Sequence, residues 1–168
     1  MIYRYLAIVV ALAATLAGLQ VPGFIQQYEQ RAEAHLAEVS ANLSGFQKIA
    51  DRRHGGSIEA LIAHHARSTD ATFRDEAEVI GSMIDRRNTF QKQVAGLSGS
   101  LSGQVAFLAG QADRELVSET IDGYRWVITL DRESLICGGI ALVIGLGLSD
   151  GARLLLLALF RRTRTAST

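Results

Sequence analysis

Two uncharged apolar runs lie near the ends of the chain, and a long amphipathic stretch lies between them. Residues 5–21 (YLAIVVALAATLAGLQV) contain no Asp, Glu, Lys or Arg. That length just reaches the roughly 17 apolar residues needed to cross a bilayer core as a helix. Pro22 and Gly23 follow and are expected to stop or kink the helix. The second run, residues 134–149 (SLICGGIALVIGLGLS), is also uncharged. After Ser149-Asp150-Gly151-Ala152-Arg153 the apolar character resumes through LLLLALF to Phe160. As one helix, Leu135 to Phe160 is roughly 39 Å long, more than a bilayer core of about 30 Å. Two geometries follow: a crossing that ends near Ser149 with the rest along the interface, or one tilted helix throughout.

Between these runs the apolar positions recur every three or four residues, the period of an amphipathic helix. Ile25, Tyr28, Ala32, Leu36, Val39, Leu43, Phe46 and Ala50 form one stripe and predict a helix of about 28 residues. His54-Gly55-Gly56 breaks it. Ser57 suits an N-cap with Glu59 in the first turn, for a short helix ending near Arg67. Ser68-Thr69-Asp70 restarts the pattern, and Phe73, Ala77, Ile80, Ile84, Phe90, Val94 and Leu97 form a second long stripe, interrupted at Arg87. GLSGSLSG (residues 96–103) reads as a turn or joint. Val105, Leu108, Ala112 and Leu116 predict a third long helix, ended by Asp122-Gly123. YRWVITL (124–130) is the one strand-like run. Its place just ahead of the second apolar run makes Tyr124 and Trp126 interfacial anchors instead, with Thr129 a cap for the helix that follows.

The expected fold is all-α: two transmembrane helices flanking an extramembrane antiparallel helical bundle or hairpin. The segments are 1–4 (cytoplasmic N-terminus), 5–21 (first span), 22–132 (extracytoplasmic helical domain), 133–160 (second span, with a possible interfacial extension after 149) and 161–168 (basic cytoplasmic tail). Small residues line one face of each apolar helix: Ala7, Ala11, Ala14 and Gly18 on the first, Gly138, Ala141, Gly145 and Ser149 on the second. Such stripes let helix backbones approach closely, so the two ends are expected to pack on each other or on a partner's helix.

Charge adds an orientation. Formal net charge is zero, yet Val21–Glu133 holds 12 Lys or Arg against 16 Asp or Glu, while Arg4, Arg153, Arg161, Arg162 and Arg164 make the ends basic. Positive charge flanking the spans is retained on the cytoplasmic side. Both termini are therefore expected in the cytoplasm, with the middle segment outside. Asp150 and Arg153 are one helical turn apart and read as an ion pair at the membrane boundary. The first run also has the form of a signal peptide, but Ala17-Gly18-Leu19 is a poor cleavage site and an uncleaved anchor fits better.

The acidic middle argues against nucleic acid as a partner. The one cysteine, Cys137, allows no intrachain disulfide and reads as an apolar filler. His35, His54, His64 and His65 lack the i, i+4 spacing of a helical zinc site, and Asp75, Glu76 and Glu78 read as a solvated face. No serine or cysteine has a nucleophile's setting, and the Gly-Gly-Ser at 55–57 lacks a phosphate loop's lysine. No catalytic, cofactor or metal residue is expected.

The segment Leu19-Gln20-Val21-Pro22-Gly23-Phe24-Ile25-Gln26-Gln27-Tyr28, then Gln30-Arg31 and Leu36-Ala37-Glu38, resembles a bacterial membrane family known as domain of unknown function 2937. STDATFRDEAEVIGSMIDRRNTFQKQVAGL (68–97) and an apolar helix following Thr129-Leu130 resemble it too. The resemblance covers most of the chain. It implies a bacterial cell membrane and supplies no activity. Two functions remain: an accessory or structural subunit docking on membrane proteins or on itself, or a sensor-like module whose helical bundle binds a ligand and acts through a partner.

Overall fold

The computed structural model describes the backbone of residues 2–126 and 131–165, and the side chains of residues 5–126 and 131–151. Seven helices appear among the described residues, and no strand. They are α1 (Ile2–Leu19), α2 (Val21–Arg53), α3 (Ile58–Ala66), α4 (Ala71–Gly96), α5 (Leu101–Gln111), α6 (Arg114–Asp122) and α7 (Arg132–Thr165). The chain divides into two compact units, one of residues 1–26 and 124–168 and one of residues 27–123, with a boundary inside α2.

In the first unit α1 stops at Leu19, and Gln20 forms a turn whose N–H donates to Ala17 O at 3.1 Å. Pro22 then occupies the second residue of α2, where its missing N–H costs nothing. α7 is one unbroken helix of 34 residues, running through Asp150 and Gly151. Its cap is Asp131, whose carboxylate accepts the Ser134 N–H at 2.7 Å. Thr129, the expected cap, lies outside the described residues, and the helix begins beyond it. The Ser134 backbone N–H, followed by the Ser134 hydroxyl, holds the Asp131 carboxyl below its ordinary value.

In the second unit α2 extends to 33 residues, five beyond the amphipathic stripe that predicts it. Ile25 at its start, in the first unit, is buried, and so are Tyr28, Ala32, Val39, Leu43 and Ala50 along the rest of that stripe. The chain reverses at Gly55 and Gly56, whose φ values of 59° and 87° favour glycine. Ser57 caps α3, accepting from the Ala60 N–H at 3.1 Å, and Asp70 caps α4, accepting from the Thr72 N–H at 2.8 Å. α3 folds back on α4, burying Ile58 and Leu61 with Ala77 and Ile80. Arg87 interrupts the α4 stripe, and the Glu59 carboxyl of α3 is lowered first by its own N–H, next by the Ser57 hydroxyl and least by the Arg87 charge.

The third long helix is not continuous. GLSGSLSG is half joint and half helix, since α5 begins at Leu101 under a Ser100 cap. Its C-terminal neighbour Ala112 is extended, and Asp113 starts α6 by accepting from the Glu115 and Leu116 N–H groups at 3.0 and 3.1 Å. The local carboxylate cap outcompetes helix continuation at this position.

α2 and α4 run antiparallel, pairing Tyr28 with Gln93 and His35 with Phe90. A buried polar node holds them to the α5–α6 junction. The Tyr28 hydroxyl donates to Gln93 Oε1 at 2.8 Å, and the Asp113 N–H donates to the Tyr28 oxygen at 2.9 Å. Gln93 Nε2 donates to Gln111 O at 3.2 Å. Burial raises the Tyr28 phenol above its ordinary value.

Candidate functional site

Two regions have a composition and geometry that bear on function, one in each unit. In the first unit α1 and α7 pack as an antiparallel pair: Leu19 lies against Gly138, Gly18 against Ala141, and Ala14 against Gly145. Ala11, Gly18, Gly138 and Gly145 are buried, while Ala7, Ala14, Ala141 and Ser149 are half-buried. A Cβ on Gly18 would stand 2.6 Å from Ala141 Cβ and from Cys137 O, and one on Gly145 would stand 2.8 Å from Ala14 Cβ. A Cβ on Gly138 would stand 2.9 Å from Leu19 Cγ. The seam is backbone against backbone, with no room for a methyl group.

Two further residues belong to this seam. Ser134, fully buried, continues the α7 stripe one turn earlier, four residues before Gly138. Thr15 faces Gly138 and satisfies its hydroxyl on Ala11 O at 2.8 Å. The small-residue spacing carries Ser134 directly, since it is the same four-residue step.

The other faces of both helices are exposed and apolar. Val9 is 60 % and Val143 69 % exposed, and Leu6, Leu12, Leu16, Ile140, Ile144 and Leu148 are exposed with them. By length and composition two helical segments are able to cross a membrane, one in the N-terminal run and one over Arg132–Gly151.

Tyr124 and Trp126 sit differently from each other. The Tyr124 hydroxyl donates to the Gln20 side-chain oxygen at 2.8 Å and to Gln20 O at 3.2 Å, and its ring lies 5.9 Å from that of Phe24. Burial raises its phenol above the ordinary value. Trp126 meets Tyr124 edge-on at 5.4 Å and is 79 % exposed. Asp150 is exposed on α7; the side chain of Arg153 lies outside the described residues.

In the second unit, a shallow groove of about 130 Å³ opens between α2 and α4. His35, Glu38, Val39 and Asn42 form one wall, and Met83, Arg86 and Phe90 the other. His35 stacks on Phe90, with ring centroids 5.1 Å apart and planes 16° from parallel. The Arg86 guanidinium lies 5.6 Å from the centre of the same Phe90 ring. His35 Nε2 meets Glu119 Oε2 of α6 at 2.8 Å. A carboxylate only accepts, so Nε2 carries the proton and Nδ1 of the neutral ring keeps its lone pair. Glu119 was not singled out in the sequence, because its partner lies 84 residues away.

The other histidines cluster near the α2–α3 turn. His54 and His64 have ring centroids 5.2 Å apart, and His65 Nδ1 lies 3.2 Å from Glu76 Oε2 with Phe73 edge-on at 5.2 Å. Among the described residues no three His, Cys, Asp or Glu side chains are placed to hold a metal ion.

The profile of a protein family of unknown function, DUF2937, matches residues 2–162. The chain belongs to that family. The match takes in both apolar helices and the whole second unit, so the two regions described above are parts of one family architecture. No curated protein and no solved structure matches the chain.

Proposed function

We propose that this chain is a two-span membrane protein that acts as a non-catalytic accessory or structural subunit, docking on other membrane proteins or on itself. The observation that carries the reading is the division of labour on α1 and α7. Their small residues face each other, and their large apolar side chains face outward. A water-soluble protein does not keep so continuous an apolar surface uncovered. Hydrocarbon accommodates it at no cost, because every backbone group is satisfied within the helix.

Arg4 and the Arg161-Arg162-Thr163-Arg164 tail support placing both ends in the cytoplasm of a bacterial inner membrane, with residues 22–132 outside. Asp150 and Arg153 then mark the cytoplasmic boundary of α7. Trp126, exposed just ahead of α7, suits the headgroup layer.

The test has two parts. Alkaline carbonate extraction should leave the protein in the membrane pellet; release into the supernatant overturns the spanning assignment. A photo-crosslinking residue at Leu12 or Val143 should give discrete protein adducts of defined mass. Adducts with lipid alone at both positions overturn docking through these faces.

A further inference from the structure

The groove between α2 and α4 joins complementary charges on its two walls. On the α2 wall, His35 Nδ1 and the Glu38 carboxylate are 3.9 Å apart, too far to bond each other. One ammonium nitrogen between them reaches both with ordinary hydrogen-bond lengths of about 2.8–3.0 Å. In the neutral ring, the Nε2 proton given to Glu119 leaves Nδ1 as an acceptor. On the α4 wall, the Arg86 guanidinium has no carboxylate partner within 4.0 Å among the described residues; Asn42, further along the α2 wall, has an amide with no hydrogen-bond partner there. Both groups offer N–H donors suited to a carboxylate. Val39 and Met83 supply the apolar lining between them. The volume of about 130 Å³ admits a ligand of fewer than about ten heavy atoms.

We propose that this groove binds a small zwitterion of the α-amino-acid class. Its ammonium bridges His35 Nδ1 and Glu38, its carboxylate meets Arg86 and Asn42, and a short side chain rests on Val39 and Met83. A ligand bearing one charge meets only His35 and Glu38, or only Arg86 and Asn42. The site lies wholly within residues 27–123, so it stands or falls separately from the membrane and docking assignments above.

Full-length protein in detergent micelles is titrated by calorimetry with glycine, alanine, serine and valine, and with propionate and ethylamine as the two half-ligands. At least one amino acid should bind saturably in the micromolar to millimolar range, and both half-ligands about tenfold more weakly or worse. Glu38→Gln and Arg86→Ala should each weaken that binding about tenfold or more, with helical circular dichroism unchanged. Both side chains are at the groove's exposed rim; Arg86→Ala also removes the guanidinium from over the Phe90 ring, a small loss that leaves the fold intact. Absence of saturable binding by all four amino acids overturns the proposal. Propionate or ethylamine binding as tightly as the best amino acid overturns it too, as does wild-type affinity in either variant.

Discussion

Tyr28 shows how one residue does more than its hydrophobic pattern announces. Its ring belongs to the apolar stripe of α2, and the periodicity places it in the core, where it is 0 % exposed. Its hydroxyl, invisible to that pattern, donates to Gln93 and receives the Asp113 N–H, so it fixes where α5 ends and α6 begins. Gln93 carried a signal of its own: a polar residue three after Phe90 and four before Leu97, inside the stripe. Tyr28→Phe keeps the ring and strands part of the node, leaving the Asp113 N–H only the longer 3.3 Å contact to Gln93. A loss of about 1–3 kcal/mol in unfolding free energy is expected by urea titration. An unchanged midpoint would show that the node contributes nothing. The phenol is raised in the folded state by burial, so the folded protein holds that proton more tightly than the unfolded chain does. The corresponding stability is complete below the ordinary tyrosine value of about 10 and is lost as pH rises through the folded value. Wild-type protein should therefore lose stability in alkali more steeply than Tyr28→Phe. Parallel curves would rule out Tyr28 as the cause.

At the scale of the helices, starts and stops set by local chemistry were legible, and those set by tertiary contacts were not. The two-glycine reversal, the Ser57 cap and the Asp70 restart follow from residue types and occur where expected. The Asp113 break was hidden because an apolar stripe runs straight through it; the Asp113 carboxylate caps α6 there, and its N–H meets Tyr28, 85 residues away. Asp131 was hidden for a different reason: the cap was sought in the Thr129 hydroxyl, and the stronger charged acceptor lies two residues later. The carboxyl of Asp131 is lowered, so the help it gives α7 is present above the ordinary carboxylate value and fades as pH falls through the folded one. Asp131→Ala should fray the first turn of α7, seen as faster amide exchange at Ser134 and Leu135; exchange as slow as in wild type would show that another group caps the helix. The α1–α7 seam gives a sharper test. Gly18→Ala and Gly145→Ala place a methyl where atoms stand 2.6 and 2.8 Å away, while Cβ atoms at Gly139 and Gly147 meet nothing within 4 Å. The first two should destabilise the pair by about 1–3 kcal/mol. The second two should be neutral or mildly stabilising, by at most about 1 kcal/mol, from helix propensity. Thermal unfolding in one detergent compares all four, and equal effects at seam and outer positions would show that the close packing is not what holds α1 to α7.

For the whole molecule, the distribution of charge carries more information than the total. A formal net charge of zero conceals an acidic stretch between basic ends, and the proposed orientation rests on that asymmetry. The all-α architecture was legible because both apolar runs are long and uncharged and both long stripes are strongly periodic. The groove was not, since its walls are 40 or more residues apart in sequence and charged rim residues on a helix read as solvated surface. Orientation and integrity of the N-terminal helix are tested together. A periplasm-active reporter inserted at residue 60 should be active, and the same reporter fused after Thr168 should be silent. A cytoplasm-active reporter should give the opposite pair. Activity on the same side at both positions would mean an even number of crossings between residue 60 and Thr168, as when α7 lies on the membrane surface. Intact mass then separates the remaining alternatives. A chain retaining residues 1–22 has α1 as an anchor packed on Gly138 and Gly145, whereas a chain shortened by them has lost the partner of that seam and would be held by α7 alone. Cleavage would also expose the α7 glycine face to solvent or lipid, so the mass measurement decides whether the seam between α1 and α7 exists in the mature protein.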